Sequence, residues 1–256
     1  MTNRDILRIA MTQSAYDANC CAEDFSCGHP MIVFSKENEK ARKYLKWPLE
    51  CNLISYGHNV VATIEPQYYD IVNQYIHQYD VEHLMETPHM HVLDQAFAPY
   101  NLSVCFMAEY FLPDLEYLQP LPCSYELRTL YPNDFAHLYL PEWSNALCET
   151  RKELDVLGIG AYDGDRLIGL AACSDDCDAM WQIGVDVLPQ YRHQGVASSL
   201  TSNLALAILD RGKVPFYCCA WCNVASARNA IKSGFRPAWV EMTVRPKSLV
   251  DEFNKN

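Results

Sequence analysis

A chain of 256 residues, half of them hydrophobic, is long enough to bury one large core or two ordinary ones. Its net charge of −12 is uneven: residues 1–122 carry 7 basic and 16 acidic side chains (−9), and the remainder carries 13 and 16 (−3). An acidic first part repels phosphate backbones, which argues against a nucleic-acid partner, and no apolar run approaches the roughly 18 residues that cross a bilayer.

The opening Met1-Thr2-Asn3-Arg4-Asp5 lacks the basic-then-apolar pattern of a signal peptide, so a cytoplasmic location with no membrane partner is expected. The twelve cysteines fall mostly inside apolar runs such as Val104-Cys105-Phe106. In a reducing compartment these read as packed, unpaired thiols.

The first part reads as mixed α/β. Leu53–Tyr56 and Val60–Ile64 are expected strands around a turn at Gly57. Tyr68 to Tyr79 follows with apolar residues at helical spacing, then a helical piece over His91–Phe97 and a buried strand over Val104–Ala108. The proline-rich Leu118-Gln119-Pro120-Leu121-Pro122-Cys123 reads as a linker, dividing the chain into 1–122, of unassigned role, and 123–256.

The second part is more regular. Tyr125–Leu130 alternates as a strand, and Pro132-Asn133-Asp134 opens a helical stretch with Asn133 or Asp134 placed to cap it. Val156–Ala172 is a hairpin about Asp163-Gly164-Asp165, and Met180–Leu188 is the next strand. A helix over Gly195–Leu209, a strand over Val214–Ala220, a short helix over Ala225–Ser233 and a last strand over Ala238–Val244 complete the order. Eight of the ten glycines lie after Asp155, so a phosphate-cradling loop is expected in this part.

The chemistry concentrates in Val185-Asp186-Val187-Leu188-Pro189-Gln190-Tyr191-Arg192-His193-Gln194-Gly195-Val196-Ala197. A strand ends near Pro189 and a helix opens near Gly195. Unpaired amides at a helix N-terminus, reinforced by the helix dipole, bind phosphate. Gly195 allows close backbone approach, Ala197 keeps the next contact small, and Arg192 adds a charge-assisted donor. After the strand Phe216–Ala220 come Asn223, Ser226, Lys232, Gly234 and Phe235.

Arg192 to Ala197 resembles the [QR]-x-x-G-x-[GA] pyrophosphate signature of the GNAT acetyltransferase superfamily. The second block is similar to that family's N-x-x-[AS] followed by K-x-G-F. In general appearance the whole chain is similar to a bacterial branch with an added N-terminal domain. The resemblance implies an acyl-CoA N-acyltransferase fold, a mixed sheet flanked by helices, in residues 123–256. It also implies an acetyl group moved from acetyl-CoA to a primary amine by direct attack. Acetyl-CoA would then lie where two strands part, against Val185 and Val187. The segment His193, Gln194, Gly195, Val196, Ala197 and Ser198 would hold its pyrophosphate together with Arg192. Asn223, Ser226 and Asn229 would line the other side. The Val185 amide is the expected donor to the thioester carbonyl.

The pattern departs at one position. A tyrosine seven residues after the motif asparagine commonly protonates the leaving thiolate; Ala230 stands there. Asp186, opposite in parity to Val185 and Val187, is a candidate for relaying a proton through water. Glu142 is the other carboxylate candidate, in the segment expected to wall the acceptor site. The absence of the tyrosine leaves a second reading open, a catalytically silent acyl-CoA sensor or scaffold. A third class, a thiol-based metal or redox protein, rests on Cys218-Cys219-Ala220-Trp221-Cys222, on Cys20 and Cys21 with Cys27 and His29, and on Glu82, His83, Glu86, His89 and His91. Cys218 and Cys219 point to opposite faces of a strand, and Pro88 interrupts any helix through the last cluster, so no metal is expected.

Overall fold

The computed structural model describes residues 1–255. Its first regular elements are α1 (Asn3–Ala18), β1 (Met31–Phe34), β2 (Cys51–Ser55), β3 (Val61–Ile64), α2 (Tyr69–Gln78), α3 (Thr87–Phe97) and β4 (Leu102–Pro113). Next come β5 (Glu126–Leu130), α4 (Pro132–Phe135), β6 (Asp155–Asp163), β7 (Arg166–Ser174) and β8 (Met180–Val187). The chain finishes with α5 (Val196–Leu209), β9 (Val214–Ala220), α6 (Val224–Lys232), β10 (Phe235–Pro246) and α7 (Lys247–Phe253). The fold class is mixed α/β, as expected. No helix among the described residues is long and apolar enough to cross a membrane.

Two compact units form: Met1–Ala10 with Phe111–Pro237, and Met11–Tyr110 with Ala238–Asn256. Their limits differ from the sequence division at 122/123. Val240–Val244 of β10 pairs antiparallel with Cys51–Ser55 of β2, which returns the end of the chain to the second unit. The expected linker is also held within the first unit. Leu121 N–H donates to Ser202 Oγ at 3.2 Å, and its carbonyl accepts from Ser199 Oγ at 2.8 Å and Asn203 Nδ2 at 3.1 Å.

In the first unit β5, β6, β7 and β8 form an antiparallel run and β9 joins β8 in parallel. The hairpin turns at Gly164, where the sequence placed it. In α5, Val196, Leu200, Leu204 and Ile208 recur at four-residue spacing, the period that puts side chains on one helix face. That face is buried with Ile159, Ala171 and Ile183 of the sheet. The cap of α4 is the reverse of the expected one. Tyr131 precedes the helix, and Asp134 reaches back to accept the Tyr131 N–H at 2.8 Å.

In the second unit β1 runs parallel to β3, β3 antiparallel to β2, and β2 antiparallel to β10. Val72 and Ile76 of α2 and Leu93 and Phe97 of α3 are buried with Leu53, Ile64 and Met242. The expected strands and helices of this part are present, with β4 longer than foreseen; α1, β1 and α7 were not foreseen. A buried ionic group also lies here. Arg42 donates through Nε and its backbone N–H to the Asp17 carboxylate and through Nη2 to Glu241 Oε1 at 2.7 Å. Trp239 Nε1 donates to the same Glu241 oxygen at 2.9 Å.

Candidate functional site

Two parallel strands part in the first unit. β8 and β9 pair from Met180↔Val214 to Ile183↔Tyr217. Both continue, to Val187 and Ala220, but β8 stays bonded to β7 as far as Gly169↔Val187, and pairing with β9 stops. A cavity of about 740 Å³ opens there, bounded by the two strands, the loop after β8, the start of α5 and one side of α6.

Along a strand, N–H and C=O groups alternate in direction. Leu188 N–H donates to Ile168 O at 3.0 Å, on the β7 side. Val185 and Val187, odd in register to Leu188, therefore turn their backbone groups away from β7 and into the cleft. Arg192 Nε already donates to Val187 O at 3.0 Å, which folds that side chain back over the end of the strand.

The loop after β8 makes the mouth of the cleft. His193 and Gly195 both take left-handed backbone conformations, at φ +62° and +84°. Ser199 N–H closes the first turn of α5 on Gly195 O at 3.0 Å, so the amides of Val196, Ala197 and Ser198 have no carbonyl partner within the helix. A Cβ built on Gly195 would meet only Lys232 Nζ, 3.9 Å away. Space, unpaired amides, the positive end of the α5 dipole and a lysine ammonium thus converge on one spot. Arg192, His193 and Arg228 stand on the same lining. Such a cradle fits a diphosphate.

The α6 side is built from hydroxyls and amides. Asn223 Oδ1 caps α6 by accepting the Ser226 N–H at 3.1 Å, and both residues line the cleft. Ser226 Oγ lies 2.7 Å from the Tyr217 hydroxyl. Burial pushes the Tyr217 phenol above its ordinary range, which keeps it protonated. Asn229 Nδ2 donates to Thr201 Oγ1 at 3.0 Å and ties α6 to α5. Ala230 is fully buried and brings no polar atom.

The structure brings most of the sequence-derived residues onto this one lining: Val185, Asp186, Val187, Arg192, His193, Gly195, Val196, Ala197, Ser198, Asn223, Ser226 and Asn229. Two others stand apart. The Gln194 side chain is turned away, accepting the Tyr125 hydroxyl at 2.8 Å. Glu142 is exposed outside the cleft, because the short turn Pro141–Trp143 buries Trp143 and leaves Glu142 on the solvent side. Asn145, three residues on, takes a place on the lining instead. Sequence reasoning also missed Lys232, Arg228 and Gly184. Lys232 stood in the quoted K-x-G-F block, and a lone glycine inside a strand marks close backbone approach.

A sequence-family model described as GNAT acetyltransferase matches residues 54–238. The chain belongs to the GNAT acetyltransferase family. No curated protein matches it. Solved structures with a likeness to this GNAT chain include a GNAT-family acetyltransferase from Novosphingobium aromaticivorans, at 20% identity and TM-score 0.41. That likeness covers 56% of this chain and 66% of the other, just under two thirds. A GCN5-related N-acetyltransferase-like protein from Streptococcus suis is 23% identical, with TM-score 0.45, over 60% of this chain and 69% of that one. An aminoglycoside N-acetyltransferase in complex with CoA is 18% identical, with TM-score 0.37, over 47% and 93%. Membership rests on the family match and not on these distant likenesses.

The remaining clusters of this GNAT protein are pairwise contacts. No disulfide joins the twelve cysteines, and Gln182 Nε2 donates to Cys218 Sγ at 3.2 Å. His83 Nδ1 meets Glu86 Oε1 at 2.8 Å, while the His89 ring stacks on Tyr79 with centroids 3.9 Å apart. Pro88 sits in the first turn of α3, where a helix begins. Among the described residues no three His, Cys, Asp or Glu side chains are grouped to hold an ion.

Proposed function

We propose that this GNAT protein is an N-acyltransferase that moves an acetyl group from acetyl-CoA to the primary amine of a small molecule or peptide. The carrying observation is the cleft between the parting ends of β8 and β9, with the free amides of α5 and the Lys232 ammonium at its mouth. When bound, acetyl-CoA supplies a thioester whose acyl carbon an unprotonated amine attacks directly.

The chain's own groups bind, orient and polarise. The amides at the start of α5, with Lys232 and Arg192, hold the diphosphate, and the backbone of Val185 and Val187 takes the pantetheine arm. The Val185 N–H, aimed into the cleft, donates to the acyl oxygen, and this bond strengthens as negative charge grows there. Ala230 supplies no proton to the departing thiol. The hydroxyl pair of Tyr217 and Ser226, bonded to each other on the cleft wall, is the proton donor of this reading. Ala230 also favours one rival reading, a silent acyl-CoA binder that senses or scaffolds.

Release of free CoA thiol from acetyl-CoA, followed across polyamines, amino acids and aminoglycosides, separates the two. Amine-dependent thiol release is the expected result. Tight acetyl-CoA binding with no release above the hydrolysis background for any amine contradicts the transferase reading and favours the sensor.

A further inference from the structure

Asp186 lies on the cleft, but its carboxylate is already engaged. One oxygen accepts the backbone N–H groups of Asn145 at 2.8 Å and Ala146 at 2.9 Å. The other accepts Asn145 Nδ2 at 2.7 Å. Three of the roughly four lone-pair directions of a carboxylate are thus given to one short segment. That leaves little for passing protons.

The same face of β8 holds a second feature aimed at the same segment. Gly184, two residues before Asp186, shares its side of the strand. A Cβ there would stand 1.8 Å from the Asn145 carbonyl oxygen and 2.8 Å from its carbon. Only glycine allows the main chain of Asn145 to lie this close, so the segment rests on β8 at Gly184 and is pinned beside it by Asp186. Its neighbours are held on the same face, because Trp143, Ala146 and Leu147 are buried in an apolar cluster with Leu170 and Ala172, the β7 partners of Asp186 and Gly184.

Asn145 itself lines the cleft. With Nδ2 committed to Asp186, the carboxamide oxygen is the end left to accept a hydrogen bond from a ligand. We propose that Asp186 is a positioning residue. It clamps Asn145–Ala146 against Gly184 and so fixes the Asn145 carboxamide oxygen as the acceptor for an N–H of the incoming primary amine. This rests on the transferase reading above. A neutral amine brings N–H donors and one lone pair; holding one N–H at a fixed oxygen aims the lone pair, and aim is a large part of the rate.

Two measurements test the proposal. In the first, kinetics of Asp186→Asn and Asp186→Ala are compared with wild type, using the panel amine that gives the fastest thiol release. For that amine KM is expected to rise and kcat to fall, lowering kcat/KM about tenfold or more, while the KM for acetyl-CoA stays within about twofold and the pH dependence of kcat keeps its shape. Asn145→Ala is expected to show the same split. Loss of the acidic limb of the pH profile with an unchanged amine KM makes Asp186 a base and overturns the assignment.

The second measurement is amide hydrogen exchange, which needs no acceptor. Asn145 and Ala146 should exchange slowly in wild type and fast in Asp186→Ala, with β8 otherwise unchanged, and Asp186→Asn, whose carboxamide oxygen can still accept both N–H groups, should fall between them. Equal exchange in all three proteins removes the clamp. Protected amides in a protein that acylates no amine would sink the transferase reading, and the acceptor role with it, while leaving the clamp standing.

Discussion

Gly195→Glu is expected to lower acetyl-CoA affinity by more than about a hundredfold, measured by calorimetric titration. The new side chain would grow into the open space that now meets only Lys232 Nζ at 3.9 Å. A carboxylate about 5 Å from a diphosphate charge is repelled by roughly 3 kcal/mol at an effective dielectric of 20, and it would also neutralise the lysine. The fold should suffer far less. The backbone at φ +84° costs an ordinary residue about 1–2 kcal/mol, and no atom stands in the way. Gly195→Ala carries the same backbone cost without charge, so its binding loss should be much the smaller of the two. Unchanged affinity in Gly195→Glu would mean that the diphosphate is held elsewhere.

Arg42→Met should cost about 3–5 kcal/mol of stability. Arg42, Asp17 and Glu241 are 4%, 0% and 6% exposed. Removing the guanidinium leaves the buried Asp17 and Glu241 carboxylates without the cation that both now bond. Desolvation makes such an orphaned charge far more costly than the pair itself was favourable. Trp239 is a built-in reporter. Its ring stacks on Tyr56 with centroids 5.4 Å apart and on Tyr110 at 4.6 Å, and its Nε1 is bonded to Glu241. Urea unfolding followed by tryptophan fluorescence should show the midpoint falling steeply. A loss below about 1 kcal/mol would show that water reaches these carboxylates.

What could be read from the sequence was what short stretches dictate. β9 matches its expected bounds because Val214–Ala220 is one apolar run between turn residues. The mouth of the cleft was legible because strand, glycine and amphipathic helix follow one another within about a dozen residues. α1 was not, because its buried stripe runs Ile6, Ala10, Gln13, Ser14, Asp17 and Ala18. Half of those positions are polar, serving networks such as the Arg42 group, so the apolar period that announces a helix is missing. The division at 122/123 followed a proline-rich run, whereas the compact units follow pairing between β2 and β10, far apart in the chain.

Site residues missed or misread share one cause. Asn145 and Asp186 meet across 41 positions, and Lys232 reaches Gly195 from another helix. Glu142 and Asn145 differ by three positions in a turn, and the burial of Trp143 together with the hydrogen bonds from Asn145 to Asp186 sets which of them lines the cleft. Spacing along the chain shows which groups exist; their partners are set by tertiary packing.

The most direct measurement is a crystal structure of the protein with CoA bound. The diphosphate oxygens should lie about 3 Å from amide nitrogens between Gln194 and Ser198, with the pantetheine arm along Val185 and Val187. A diphosphate bound away from the start of α5, or α5 amides that bond to the protein while CoA is present, would contradict the account.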